Sequence, residues 1–181
     1  MDRVYILHGW EGSPDGNWFQ WLKTKLEERG IEVDVPSFPD PAHPDMDAWL
    51  VKLREAVGKP DGRCYFVGHS LGSITILRYL EALDGDAHIG GSVLVAGFTD
   101  DLGIKELAGF YRKPIEWDRI RGACGRFVVI ASDDDQYVPL RHADILENEL
   151  RAKKIIEPNM GHFNMKELHV VLNELLKIMQ G

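Results

Sequence analysis

The sequence predicts an α/β fold: about six parallel strands in one sheet, with helices on both faces. Three observations carry this expectation. Short apolar runs alternate with amphipathic stretches along the whole chain. Most runs are continuously apolar rather than alternating in and out, the pattern of strands covered on both faces. Strands that alternate with helix-length segments build parallel sheets through right-handed crossovers.

The candidate strands are residues 3–8, 31–36, 64–69, 91–96, 126–131 and 153–157. Between the first two, Trp18, Trp21, Leu22, Lys25 and Leu26 follow helical spacing until Gly30 stops them. Residues 47–57 place Trp49, Leu50, Leu53 and Val57 on one stripe, and Gly58 and Pro60 end that helix. Ile74, Leu77, Leu80 and Glu81 continue a helix that opens at the turn 68–72, and residues 139–150 and 166–179 complete the set. His142 and His169 fall inside these last two patterns and are expected to face solvent. One long irregular stretch, 97–125, separates the fourth and fifth strands. A loop of that length is usually functional or holds short helices of its own.

A chain of 181 residues suits one domain, here 1–181, with 97–125 as a partly irregular insertion beside the pocket. Its 44% apolar and 28% charged residues are ordinary for a folded globular chain. No apolar run approaches the roughly 18 residues a membrane span needs. The opening Met1-Asp2-Arg3 leads directly into Val4-Tyr5-Ile6-Leu7, unlike a secretory leader, so a cytoplasmic location is expected. A net charge of −8 speaks against nucleic acid or an anionic membrane as partner. It leaves a small-molecule substrate open and says nothing of a protein partner. Cys64 and Cys124 stand far apart and read as two reduced thiols.

Gly68-His69-Ser70-Leu71-Gly72 contains G-x-S-x-G between a strand pattern and a helix pattern. A turn this tight holds the serine at a strained backbone angle, and side chains two positions either side would crowd it. The hydroxyl of Ser70 then projects at the carboxyl end of the sheet, with the Leu71 N–H turned toward a reacting carbonyl oxygen. A tight turn without chemistry is the plain alternative.

A serine hydroxyl needs a base to take its proton. Of the histidines downstream, His88 precedes a strand and so lies at the opposite edge, while His162 follows the last strand at the same edge as Ser70. That placement makes His162 the candidate base. It must be unprotonated to act, so activity should be lost on acidification. The acid should follow the preceding strand, where Asp133, Asp134 and Asp135 stand in a row. One of them can accept the second imidazole N–H. The spacing does not choose among the three, and a solvated turn or a helix N-cap run is the plain alternative.

His8-Gly9-Trp10-Glu11-Gly12-Ser13 follows the first strand. Such a loop can turn the Trp10 N–H toward an oxyanion opposite that of Leu71, where one donor is typically worth about 2.7–4 kcal/mol. It lacks the G-x-G-x-x-G phosphate fingerprint, and the chemistry requires no cofactor and no metal. The pocket is expected to be walled by Trp10, His69 and parts of 97–117, Trp117 among them.

Together, His8-Gly9-Trp10-Glu11-Gly12-Ser13, Gly68-His69-Ser70-Leu71-Gly72-Ser73, the 132–139 segment and Gly161-His162-Phe163 resemble the family of small YdeN-like and retinoblastoma-binding-protein-9-like serine hydrolases, across essentially the whole chain. The resemblance implies a trimmed α/β-hydrolase fold that begins at the His-Gly strand. It also favours Asp135, three residues before the valine of Val138-Pro139. The expected activity is an esterase-like hydrolysis of a small ester, thioester or amide through an acyl-enzyme on Ser70. The alternative is a non-catalytic binding protein on the same fold.

Overall fold

The computed structural model describes residues 1–181. Six strands, β1 (Arg3–Leu7), β2 (Glu32–Asp34), β3 (Cys64–His69), β4 (Gly91–Val95), β5 (Phe127–Ser132) and β6 (Lys153–Glu157), form one sheet in the order β2-β1-β3-β4-β5-β6. Every neighbouring pair is parallel. Alternate side chains along a strand enter opposite layers, which explains the continuous apolar runs. Val4 and Ile6 of β1 join the core on one face, while Tyr5 and Leu7 join the core on the other.

The first face is covered by α1 (Phe19–Glu27) and α6 (His169–Gln180), through Phe19, Leu22 and Leu26 from one and Val171, Leu172 and Leu175 from the other. The second is covered by α2 (Met46–Val57), α3 (Leu71–Glu81), α4 (Trp117–Ala123) and α5 (Arg141–Leu150). Helix α2 begins where Asp45 Oδ1 accepts the Ala48 N–H at 2.9 Å and ends at Gly58 with φ of 63°. Helix α3 is buried on every side except at its last residue, so its apolar residues face neighbours all round.

Strand β2 is shorter than expected. It pairs only with β1, and its ladder stops at Asp34; Pro36 has no N–H with which to extend it. Helix α5 begins at Arg141 rather than at residue 139, and α6 at His169 rather than 166. His142 faces inward, against expectation. It shares the buried side of α5 with Ala143, Leu146 and Leu150, and its Nδ1 accepts the backbone N–H of Thr99 at 3.2 Å.

The stretch 97–125 holds a 3-10 helix, Lys105–Tyr111, and α4. It is fastened to α3 by Arg78, whose guanidinium is buried and donates to the carbonyls of Phe110 (2.7 Å), Lys113 (2.6 Å) and Pro114 (3.2 Å) and to Glu81 (2.7 Å). A buried cation is tolerable only with its donors satisfied, and here that requirement anchors the wall of a cleft.

Candidate active site

The strand order reverses between β1 and β3, and ligands of open parallel sheets bind at such a switch point, beyond the carboxyl ends of the strands. Five loops converge there, after β1, β3, β4, β5 and β6. They enclose a cleft of about 410 Å³ whose lining includes Trp10, Ser70, Phe98, Leu102, Leu107 and His162.

Ser70 stands in the left-handed region, with φ of 55° and ψ of −119°. A non-glycine residue there is strained and persists only where its surroundings fix it. The fixing is backbone packing. A Cβ at Gly68 would lie 2.7 Å from Ser73 N, and one at Gly72 would lie 2.4 Å from Leu7 O. The Ser70 N–H donates to Val95 O at 2.8 Å, and the Ser73 hydroxyl donates to Gly68 O at 3.0 Å. Two adjoining strands and the first turn of α3 thus hold one residue.

His162 Nε2 lies 3.0 Å from Ser70 Oγ, and its Nδ1 lies 2.8 Å from Asp135 Oδ2. The other oxygen of Asp135 accepts the N–H groups of Tyr137 (2.9 Å) and Val138 (3.0 Å). Both side chains are enclosed, at 11% and 2% exposure. Burial alone would raise the pKa of Asp135, but the bonds from His162 and the two backbone donors outweigh it and hold it below the usual carboxylate range. An ionised Asp135 accepts Nδ1–H, which leaves the Nε2 lone pair facing the Ser70 hydroxyl. Asp133 and Asp134 do not reach the imidazole; both turn to backbone N–H groups of the loop that carries it.

Gly9 packs against the serine, where a Cβ would come within 3.0 Å of Ser70 Cβ. The next N–H, that of Trp10, has no acceptor within the protein. Leu71 is the first residue of α3, where helix geometry leaves the N–H without an intrahelical partner. The loop is fixed around these donors: Trp10 Nε1–H donates to Ala42 O at 2.9 Å and Glu11 N–H to Pro41 O at 2.8 Å. Beneath it, buried His8 donates Nδ1–H to Gly9 O at 2.9 Å and accepts Phe38 N–H at Nε2, 3.3 Å. Burial lowers the His8 pKa, which suits a neutral ring making both bonds.

This geometry can activate a serine hydroxyl and hold the oxyanion that follows. A family model described as serine hydrolase matches residues 4–180. The chain belongs to the serine hydrolase family. Its relatives include YdeN of Bacillus subtilis, 35% identical over 89% of this chain and 85% of that one, and serine hydrolase RBBP9 of Rattus norvegicus, 27% identical over 91% and 85%. The crystal structure of the B. subtilis ydeN product superposes with a TM-score of 0.95 at 32% identity, covering 100% of each chain. Est1E from Butyrivibrio proteoclasticus shares the fold, with a TM-score of 0.77 at 14% identity over 99% of this chain and 87% of that one.

Within this hydrolase the pocket differs from expectation at Trp117. Trp117 lies outside the cleft: it opens α4 and packs, half-buried, against the core. The 97–117 stretch supplies the wall with Phe98, Leu102, Ile104 and Leu107 instead, because the Arg78 anchor draws the chain back to α3 beyond Tyr111. His69 does border the cleft but is only 4% exposed, and its Nε2–H donates to the His162 carbonyl at 2.8 Å. Burial first, then the neighbouring His162, lower its pKa to about 3. The sequence reading missed Tyr137, 58% exposed and edge-on to the His162 ring, and Asn164 on the cleft wall. They stand two residues beyond Asp135 and His162 respectively, and that adjacency was the available signal.

Proposed function

We propose that this hydrolase cleaves a small ester, thioester or amide through an acyl-enzyme on Ser70. The observation that carries the reading is the continuous hydrogen-bond chain from Asp135 through His162 to Ser70, at 2.8 and 3.0 Å, beside the N–H groups of Trp10 and Leu71. Ser70 Oγ attacks the carbonyl carbon while its proton passes to His162 Nε2. The carbonyl oxygen gathers negative charge and is met by the two backbone donors. Nε2 then returns the proton to the leaving group as the carbon–heteroatom bond breaks. Water enters, gives its proton to Nε2 and attacks the acyl carbon, and the free acid and serine are restored.

The wall of Phe98, Leu102, Ile104, Leu107 and Val138 supports a neutral, apolar acyl group of modest size. No helix of the chain is long and apolar enough to cross a membrane. Two buried free thiols, Cys64 and Cys124, support a reducing, cytoplasmic setting.

Labelling by a fluorophosphonate tests the reading directly. The wild type should label stoichiometrically, and Ser70→Ala and His162→Ala should not. A folded wild type that fails to label would overturn the reading.

A further inference from the structure

Three of the five residues from 159 to 163 occupy the left-handed backbone region: Asn159 (φ 56°), Gly161 (φ 53°) and Phe163 (φ 57°). Two of them carry side chains, so the loop that presents His162 is held in a conformation it would not keep unaided. What holds it is the row of side chains from the last residue of β5 onward, Ser132 to Asp135. Asp133 Oδ1 accepts the Asn159 N–H at 2.9 Å, Ser132 Oγ accepts the Met160 N–H at 2.9 Å, and Asp134 Oδ1 accepts the Gly161 N–H at 2.7 Å. With Asp135 on the imidazole, four successive side chains grip four successive residues. Ser132 is buried and donates its own hydroxyl to Asp134 Oδ1 at 2.7 Å, which aims that oxygen. From the other side, His69 Nε2–H donates to the His162 carbonyl, and Trp18 Nε1–H donates to the Phe163 carbonyl at 3.1 Å.

We propose that Asp134 is a positioning residue for the hydrolysis: by accepting the Gly161 N–H it imposes the left-handed turn that aims the imidazole of His162 at Ser70. The proposal rests on the reading of Ser70 and His162 as the reacting pair. Asp134 does not line the cleft, so it acts on rate through His162 and not through substrate contact. Its work is done by an acceptor oxygen rather than by charge. Asp134→Asn, which keeps that oxygen, should therefore stand in for it, and Asp134→Ala should not.

The experiment compares wild type, Asp134→Ala and Asp134→Asn in three readouts: kcat and KM on a p-nitrophenyl acyl ester, the rate of fluorophosphonate labelling, and the downfield proton resonance of the imidazole Nδ1–H bonded to Asp135. In Asp134→Ala, kcat and the labelling rate should fall about 10- to 100-fold with KM within about threefold, since a displacement of about 1 Å costs rates of that order. The Nδ1–H resonance should broaden or shift, and Asp134→Asn should restore all three. Wild-type kinetics in Asp134→Ala would overturn the proposal, as would a change in thermal stability alone. Equal losses in both variants would also overturn it, by assigning the effect to charge. If the wild type itself neither labels nor turns over, the hydrolase reading fails. The imidazole resonance then decides separately: a resonance equally sharp and unshifted in Asp134→Ala overturns the positioning role, and one lost there and regained in Asp134→Asn upholds it.

Discussion

The serine turn and the histidine loop meet at one hydrogen bond, yet they are held by opposite means. At 68–72 the strained residue is Ser70, and what fixes it is backbone against backbone, with no room for a Cβ at Gly68 or Gly72. At 159–163 the strain is spread over three residues, and what fixes it is side chains from another loop. Gly161, despite its positive φ, has open space around it; a Cβ there would meet only Gln136 Oε1 at 3.6 Å. Ser70 is therefore placed by local sequence, and His162 by residues nearly thirty positions upstream. One expects the first to fail by unfolding and the second by losing aim.

The largest effect should come from a change that leaves both loops in place. In Asp135→Asn the side-chain oxygen can still accept the Tyr137 and Val138 N–H groups, so the loop geometry should survive. The amide, however, offers N–H to the imidazole, which then carries its proton on Nε2, facing the serine. A fall in kcat of roughly 10⁴-fold is expected, as for the same exchange in other triads, with the urea midpoint almost unchanged. A loss below about tenfold would show that Asp135 does not set the tautomer.

Next in size is the contrast between two glycines. Gly72→Ala forces a Cβ to within 2.4 Å of Leu7 O and 2.9 Å of His8 O, both on the backbone around a central strand. The expected destabilisation is roughly 3 kcal/mol or more, the upper end for overpacking. Gly161→Ala meets no such wall, and its cost is the left-handed strain of about 1 kcal/mol. Urea denaturation of the two variants measures the difference. Equal costs would mean that the serine turn can relax and is not fixed by packing.

The same contrast explains what the sequence made legible. The inner strands were readable because both faces are covered: β3 matches the expected residues and β1, β4 and β5 shift by no more than a residue at either end, while β6, a partly exposed edge strand, also matches its short apolar run. The serine turn was readable because its constraint is local: glycines two positions either side of a serine, between strand and helix. The three aspartates were not separable, since what distinguishes them is a partner loop 26 or 27 residues away in the chain. His142 was misplaced because helical spacing gives the stripe but not which neighbour covers it; Thr99 does so from across the cleft wall. Trp117 was misplaced for a related reason. Where the chain turns away from the cleft is set by buried Arg78, whose three carbonyl partners carry no sequence signature.

The smallest effect bears on His69, the one residue that belongs to both regions: it precedes Ser70 in the turn and donates to the His162 carbonyl in the loop. Its ring is buried and neutral, with a pKa lowered to about 3, against about 6.5 in an unfolded chain. For a histidine with a depressed pKa the sign is fixed. Above pH 6.5 both states are neutral and nothing is lost; below it the unfolded chain binds a proton that the folded one refuses, so stability falls as pH falls. Between pH 7.5 and 5.5 this amounts to about 1 kcal/mol for one histidine. Carboxylates held low in the folded state, such as Asp135, lose their contribution only at more acid pH, so the window isolates the histidines. His8 and His142 are also shifted down by burial, and they remain in both proteins of the comparison. His69→Gln keeps a donor for the His162 carbonyl and removes one titrating group. Its urea-derived stability should fall by about 1 kcal/mol less than that of the wild type over this range. Equal falls would mean that the ring accepts a proton in place. The turn and the loop would then be joined by an imidazolium that still donates Nε2–H to the His162 carbonyl, and not by a neutral ring.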